Sequence, residues 1–409
     1  MSSRRGGNEV WWASGIYALG VVVFGFAARW TAKLTFDEET FYAPAVAFFA
    51  ERLPAIPLNY PMPFPPAGIY LQAVLWQVLP SFALLRAATS VAAIALVLVV
   101  AHLLRGQSSL RAALLVLMVG TLPTFFLSAF LLKLHALAIL CNVAAFALWE
   151  RRRSGWAAVA LTVGMTVQQT TLATTAALTI LTLLRDGRVS RQAALKSAFV
   201  LGLSFLPIAI LFAVWGGFRP PMYAEVFQED AGIGRLHARQ LIVLLLMIGV
   251  WIAPVIGSLR SLIRLAAASF PFALLFTHVS GVMKPGAPFM SQIAGPVSSS
   301  IEALGGGMYG ARLAGTALLV AFGMATVIVS LLDRTLDPVR LWSLAVWTSI
   351  FGCMMLTVPY YFESYYALYV IVAWLIVRWR LLSDPSRSIV VFQTLAISAG
   401  LVFVLLKSV

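Results

Sequence analysis

The chain has 409 residues, 61% of them hydrophobic and 11% charged, with a mean hydropathy of +0.92. Soluble domains run at about 45–50% apolar and about 25% charged, so this composition excludes a soluble globular protein and implies a polytopic membrane protein. The formal charge of +14 does not indicate nucleic acid, because the basic residues punctuate apolar runs and form no stripe interleaved with aromatics.

Taken in chain order, Ser2-Ser3-Arg4-Arg5 precedes an apolar stretch from Val10 to about Trp30 without a small-residue cleavage site, which reads as an uncleaved first span. Further spans are predicted at 83–104, 112–131, 134–149, 155–170, 171–184, 195–215, 239–258, 262–279, 312–332, 338–358, 364–380 and 388–406, giving an all-α fold of about thirteen transmembrane helices. The two cysteines, Cys141 and Cys353, lie inside such segments and offer neither a disulfide framework nor a metal-ligand spacing.

With the N-terminus in the cytoplasm, every predicted inner loop is basic, from Arg105 and Arg111 to Arg378, Arg380 and Arg387, and eighteen of the 29 Lys and Arg fall on that side. The positive-inside rule therefore orients the chain. Residues 31–82, 216–238 and 280–311 become long outer loops of a single transmembrane domain, 1–409, and nine of the fifteen acids lie outside with them. Loops beyond about 12–15 residues are usually functional or disordered, so function is expected on the outer face.

The first outer loop carries Asp37, Glu38 and Glu39 side by side. A carboxylate near hydrocarbon is costly to keep and is by default a functional-site hypothesis. Thr35-Phe36-Asp37-Glu38 fits a capping box, and Phe41, Ala45, Phe48, Phe49 and Arg52 follow at helical spacing, predicting an interfacial amphipathic helix over 36–52. The prolines at 54, 57, 61, 63, 65 and 66 then forbid a helix and stiffen the chain. A second short interfacial helix is predicted over 67–79. Acids in a first helical turn also complement the macrodipole, which accounts for Glu39 and gives Glu38 a capping role beside any functional one. Asp37 keeps the catalytic claim.

Phe36-Asp37-Glu38-Glu39-Thr40-Phe41-Tyr42-Ala43-Pro44 is similar to an acidic motif of Asp-Glu, two residues, His, Ile and Pro, and Pro65-Pro66-Ala67-Gly68-Ile69-Tyr70 to a Pro-Pro-Gly-Leu-Tyr element. Gln169-Thr170 resembles part of an Arg-Gln-Thr-Asn stretch, with Gln168 in place of Arg. Leu236-His237-Ala238-Arg239-Gln240-Leu241 resembles a His-x-x-Gln-Leu element, and Phe362-Glu363-Ser364-Tyr365-Tyr366 a Glu-Phe-Arg-Tyr element. Together, and in this order, they resemble the GT-C superfamily of membrane glycosyltransferases, and most closely the dolichyl-phosphate-glucose-dependent α-1,2-glucosyltransferase family. The resemblance implies a GT-C fold in a prokaryotic inner or plasma membrane. It also implies transfer of a sugar from a polyprenyl-phosphate-linked donor to a glycan or lipid-linked acceptor on the periplasmic or lumenal face.

Such a donor carries its own leaving group, so transfer needs one base for the acceptor hydroxyl and cations for the departing phosphate. Asp37 is the candidate base, with Glu38 beside it as a second catalytic carboxylate that orients the acceptor or tunes Asp37. Retention through a covalent intermediate wants carboxylates about 5–5.5 Å apart across the sugar, and neighbouring helix positions diverge by about 100°, so inversion is expected. For the phosphate, Arg235, His237 and Arg239 are the densest cationic group. Lys133 is a further candidate, set two residues from His135 so that the pair points to different faces. Tyr42, Tyr60, Tyr70, Gln169, Gln240 and Glu363, the last among five aromatics, are candidate substrate-binding residues. No tightly bound cofactor is expected. No acidic cluster is evidently built for a metal, though Asp37, Glu38 and a donor phosphate have the oxygens to assemble a divalent site. A transporter or flippase of lipid-linked sugars would show mid-span charges and two related halves, and neither an internal repeat nor a mid-span acid occurs. A polysaccharide polymerase or ligase would share the outward-facing site.

Overall fold

A computed structural model describes residues 8–105, 107, 110–186, 190–227, 237, 239–256, 259–280, 296–304, 308–332, 338–356, 363–383 and 390–398. All regular structure among the described residues is helical, as an apolar chain requires when water is absent and each N–H and C=O must be satisfied within its own segment. Five helices are long and apolar enough to cross a membrane: Asn8–Arg29, Phe82–Leu104, Arg191–Trp215, Arg260–Ser280 and Tyr309–Ser330. Shorter apolar helices, among them Leu110–Thr121, His135–Glu150, Ser154–Val167 and Gln240–Trp251, occupy other segments that hydropathy marked.

The chain divides into two compact units, the first drawn mainly from Met1–Thr121 and Phe125–Arg235, the second from Leu236–Ala399. In the first, Asn8–Phe24 packs against Phe82–Leu104 and Leu110–Thr121. Two helix breaks interrupt this unit. A 3-10 turn, Leu127–Phe130, ends where Leu131 becomes extended, and His135–Glu150 begins only four residues later. Ser154–Val167 likewise ends where Gln168 turns extended, before Thr171–Asp186.

The predicted helix after the acidic triplet forms as a wide π turn, Glu38–Tyr42, running into Ala43–Ala50. Pro44 supplies the reason for the widening. It has no N–H to give and its ring crowds the carbonyl four residues back, so the preceding turn closes one residue wider, with the Ala43 N–H on the Glu38 carbonyl. The proline-rich stretch is non-helical over residues 55–65, and the second short helix, Pro66–Val78, starts on a proline at its first position.

These three pieces close on a shared apolar core. Val46, Phe49, Tyr60, Met62, Ile69 and Ala73 are buried against Leu85, Leu132, Leu134, Met165 and Trp215. At Gly68 the approach is so close that a Cβ would meet Leu134 Cδ1 at 2.6 Å, which explains a glycine inside that helix.

In the second unit, Gln240–Trp251 and Tyr309–Leu332 cross at backbone contact. A Cβ on Gly249 would collide with the Leu319 carbonyl, and one on Gly323 with that of Leu245. Small residues at such crossings are how apolar helices gain close packing where the hydrophobic effect between them is absent. Trp374 Nε1 donates to the Trp251 carbonyl at 2.8 Å and Trp347 Nε1 to that of Tyr369 at 3.2 Å, so these two buried indoles have their one polar atom satisfied.

Candidate functional site

The acidic triplet sits just beyond the C-terminal end of the first long helix, and its three members have different surroundings. The capping-box relation appears in one direction: the Glu38 carboxylate accepts the Thr35 N–H at 2.9 Å, and the Thr35 hydroxyl donates to the same oxygen at 3.0 Å. Asp37, the residue ahead of the π turn, makes no cap hydrogen bond with its side chain. Its carboxylate instead meets Lys133 Nζ at 2.5 Å, with Asp37 42% and Lys133 20% exposed. Glu39 is exposed.

Glu38 is not a second free carboxylate beside Asp37. It is 0% exposed and pairs with Arg86, itself 1% exposed. Arg86 Nε and Nη2 donate to Glu38 Oε1 and Oε2 at 3.0 and 2.7 Å, and the Leu132 N–H donates to Oε1 at 2.9 Å. The rest of the guanidinium turns to carbonyls at the end of the first helix, reaching Arg29 at 2.9 Å, Ala32 at 2.6 Å and Lys33 at 3.0 Å. Arg29 ends the helix and Ala32 and Lys33 follow it, where carbonyls lack the regular helical donors, and the planar five-donor fork of arginine suits the task. Burial by itself would raise the Glu38 carboxyl. The hydrogen bonds from Arg86, Thr35 and Leu132, with the arginine's charge, outweigh it and hold Glu38 below the ordinary carboxylate range. The expectation that Glu38 touches the acceptor therefore gives way to a buried structural role, because both of its oxygens are already engaged out of solvent's reach.

Lys133 lies in the break and His135 opens the next helix, and the two have different partners. Lys133 reaches Asp37, while His135 is buried, its Nδ1 3.1 Å from Gln168 Nε2 and its ring edge-on to Phe64. The break at residues 131–134 is thus what brings a cation to the triplet. Immediately before Lys133, Leu132 has both backbone groups engaged: its N–H goes to Glu38, and its carbonyl accepts from Gln72 Nε2 at 2.9 Å.

The proline strap forms a wall held from several elements. Trp215 Nε1 donates to the Leu58 carbonyl at 2.6 Å, the Met222 N–H to Asn59 Oδ1 at 2.7 Å, and Gln169 Nε2 to the Pro63 carbonyl at 2.5 Å. Several of the candidate substrate-binding residues serve this packing. Tyr42 and Tyr60 lie in the apolar core; Tyr60 donates to the Phe64 carbonyl at 2.6 Å, and burial raises its phenol pKa. Gln169 is a tie for the strap. Tyr70 is partly exposed and donates to the Pro54 carbonyl at 3.1 Å.

The remaining candidates belong to the second unit, apart from Arg235, which lies outside the described residues. The His237 N–H donates to the Leu356 carbonyl at 2.7 Å and Arg239 precedes the helix Gln240–Trp251. Gln240 is buried and its Oε1 accepts from the Tyr366 hydroxyl at 2.8 Å. Glu363 opens the 3-10 turn Glu363–Tyr366.

Arg86 is absent from the candidates that the sequence suggested. Its signal is nevertheless present: an arginine within a long apolar stretch demands a partner, and the triplet supplies the first carboxylates at the matching end of the preceding helix. Comparison with protein-family models and with curated proteins finds no match.

Proposed function

We propose that the chain is an inverting glycosyltransferase of the GT-C type, a multi-pass membrane enzyme of about thirteen spans with its N-terminus in the cytoplasm. It transfers a sugar from a polyprenyl-phosphate-linked donor to a glycan or lipid-linked acceptor on the outer face. The observation that carries this reading is the part-exposed Asp37–Lys133 pair at the end of an apolar helix. A carboxylate able to take a proton there stands beside a cation able to hold a phosphate.

In this reading Lys133 exchanges the Asp37 carboxylate for the donor phosphate as the donor binds, and Asp37 turns to the acceptor hydroxyl. The acceptor oxygen attacks the anomeric carbon and its proton passes to Asp37. The carbon–oxygen bond to phosphate breaks, and the electron pair leaves with the polyprenyl phosphate, whose negative charge Lys133 meets. With Glu38 buried on Arg86, and Glu39 two positions on from Asp37 and so about 200° around a helix from it, neither neighbour stands beside Asp37 to form a glycosyl-enzyme ester, which supports inversion.

The test is turnover of a synthetic polyprenyl-phosphate sugar by the purified protein in detergent, with product stereochemistry read by NMR. The wild-type chain is expected to release polyprenyl phosphate and the Asp37→Asn variant to lose that activity. Full activity in the variant would overturn the role of Asp37. Absence of turnover with any such donor, together with movement of lipid-linked sugar across vesicle membranes, would replace transfer with transport.

A further inference from the structure

Asp37 and Lys133 lie on segments almost a hundred residues apart, and neither is itself buried. Each, however, is the immediate neighbour of a buried residue, Glu38 on one side and Leu132 on the other, and those two are hydrogen-bonded to each other at 2.9 Å. The geometry points to Glu38, Arg86 and Gln72 as a positioning device that sets Asp37 against Lys133. This inference rests on reading that pair as the working base and phosphate-holding cation.

The device has two arms. On the first, Arg86 grips Glu38 through two donors while its remaining donors fix the carbonyls at the end of the first helix. The start of the π turn, and with it Asp37, is therefore tied to that helix end. On the second, the non-helical segment carrying Leu132 and Lys133 has the Leu132 N–H held by Glu38 and the Leu132 C=O by Gln72. One turn before Gln72, Gly68 lets the same helix lie directly on Leu134. The segment is gripped through both backbone polar groups and through an apolar contact, so Lys133 leaves it in one direction. Because the link is a backbone N–H to a buried carboxylate, a shift of either segment breaks a hydrogen bond that water cannot replace.

A structural role alone would alter stability without altering the separation of Asp37 and Lys133, so the test reads that separation directly. In the full-length protein, Asp37→Cys and Lys133→Cys are combined with Cys141→Ala and Cys353→Ala, and the pair is bridged with a short bifunctional methanethiosulfonate. Cross-linking is compared with and without Gln72→Met or Glu38→Gln, and each variant's thermal midpoint is recorded. In folded Gln72→Met protein, cross-linking is expected to slow by about fivefold, the factor that one net hydrogen bond is worth. Glu38→Gln is expected to slow it more. In the otherwise native chain, Gln72→Met should lower kcat with little change in donor KM. Unchanged cross-linking in the folded Gln72→Met variant overturns the device, and that variant decides the matter should Glu38→Gln fail to fold. Because cross-linking needs no turnover, the device and the catalytic reading of Asp37 fail by different measurements.

Discussion

Two ion pairs stand one residue apart and behave as opposites. Glu38–Arg86 is out of solvent, each partner is saturated with hydrogen bonds, and the pair joins two helices to the non-helical segment at Leu132. Asp37–Lys133 is part-exposed, and Asp37 has a solvent-facing carboxylate. The residue types are nearly the same, so the difference lies in environment: burial with full pairing makes a charge a structural anchor, and partial exposure leaves one available for chemistry.

The largest expected effect tests the anchor. Removing one member of a buried pair leaves an uncompensated charge and costs about 3–5 kcal/mol, so Arg86→Met should lower the thermal midpoint sharply or prevent recovery of folded protein from detergent. Glu38→Met combined with Arg86→Met should recover part of the loss, because no charge is then stranded. A single Arg86→Met variant as stable as the parent would erase the contrast between the pairs.

Asp37→Asn is the complementary test. Loss of a general base lowers turnover by roughly 10²–10⁴-fold, whereas an exposed ion pair contributes only about 0–1 kcal/mol to stability. Activity should therefore collapse with the thermal midpoint nearly unchanged, the reverse of the Arg86 result. Lys133→Met should act more mildly and chiefly on kcat, because the phosphate charge it meets grows as the donor bond breaks, with stability again little altered.

How far this contrast was legible beforehand depends on the range of the interactions. Apolar runs marked where helices form, and proline chemistry marked both the strap and the helix beginning at Pro66, because those signals are local. The fate of Glu38 was not local. It depends on Arg86, 48 residues on, and on the Leu132 N–H, 94 residues on, and no spacing within the acidic motif reveals either. Tyr60 misled for the same cause: an aromatic in an outer loop suggests a sugar platform, yet Phe49, Met62 and Trp215 close over it. The break at 131–134, read only as the seam between two short spans, supplies Lys133.

The anchor also carries a pH signature. Since Glu38 is held below the ordinary carboxylate range in the folded protein, it binds fewer protons folded than unfolded, and its contribution is present above its unfolded pKa and lost as pH falls through the folded value. Thermal midpoints should therefore drop on acidification below the ordinary carboxylate range. Glu38→Gln should be less stable at neutral pH and show a flatter acid limb. An unchanged acid limb in that variant would assign the pH sensitivity to other carboxylates.

The smallest effect belongs to Glu39, and it bears on the meaning of the triplet. Glu39 is exposed in the first turn of a helix, where an acid gains typically 0.3–1 kcal/mol from the macrodipole. Glu39→Gln should shift stability by no more than that and leave turnover within about twofold, since surface substitutions are usually within about ±0.5 kcal/mol. Three adjacent carboxylates would then separate by environment alone, into an anchor, a reactive group and a helix-end charge. A large loss of turnover in Glu39→Gln would instead mean that the site extends along the exposed face of the π turn, with a second carboxylate within reach of the sugar, and the argument for inversion from a single available carboxylate would fail with it.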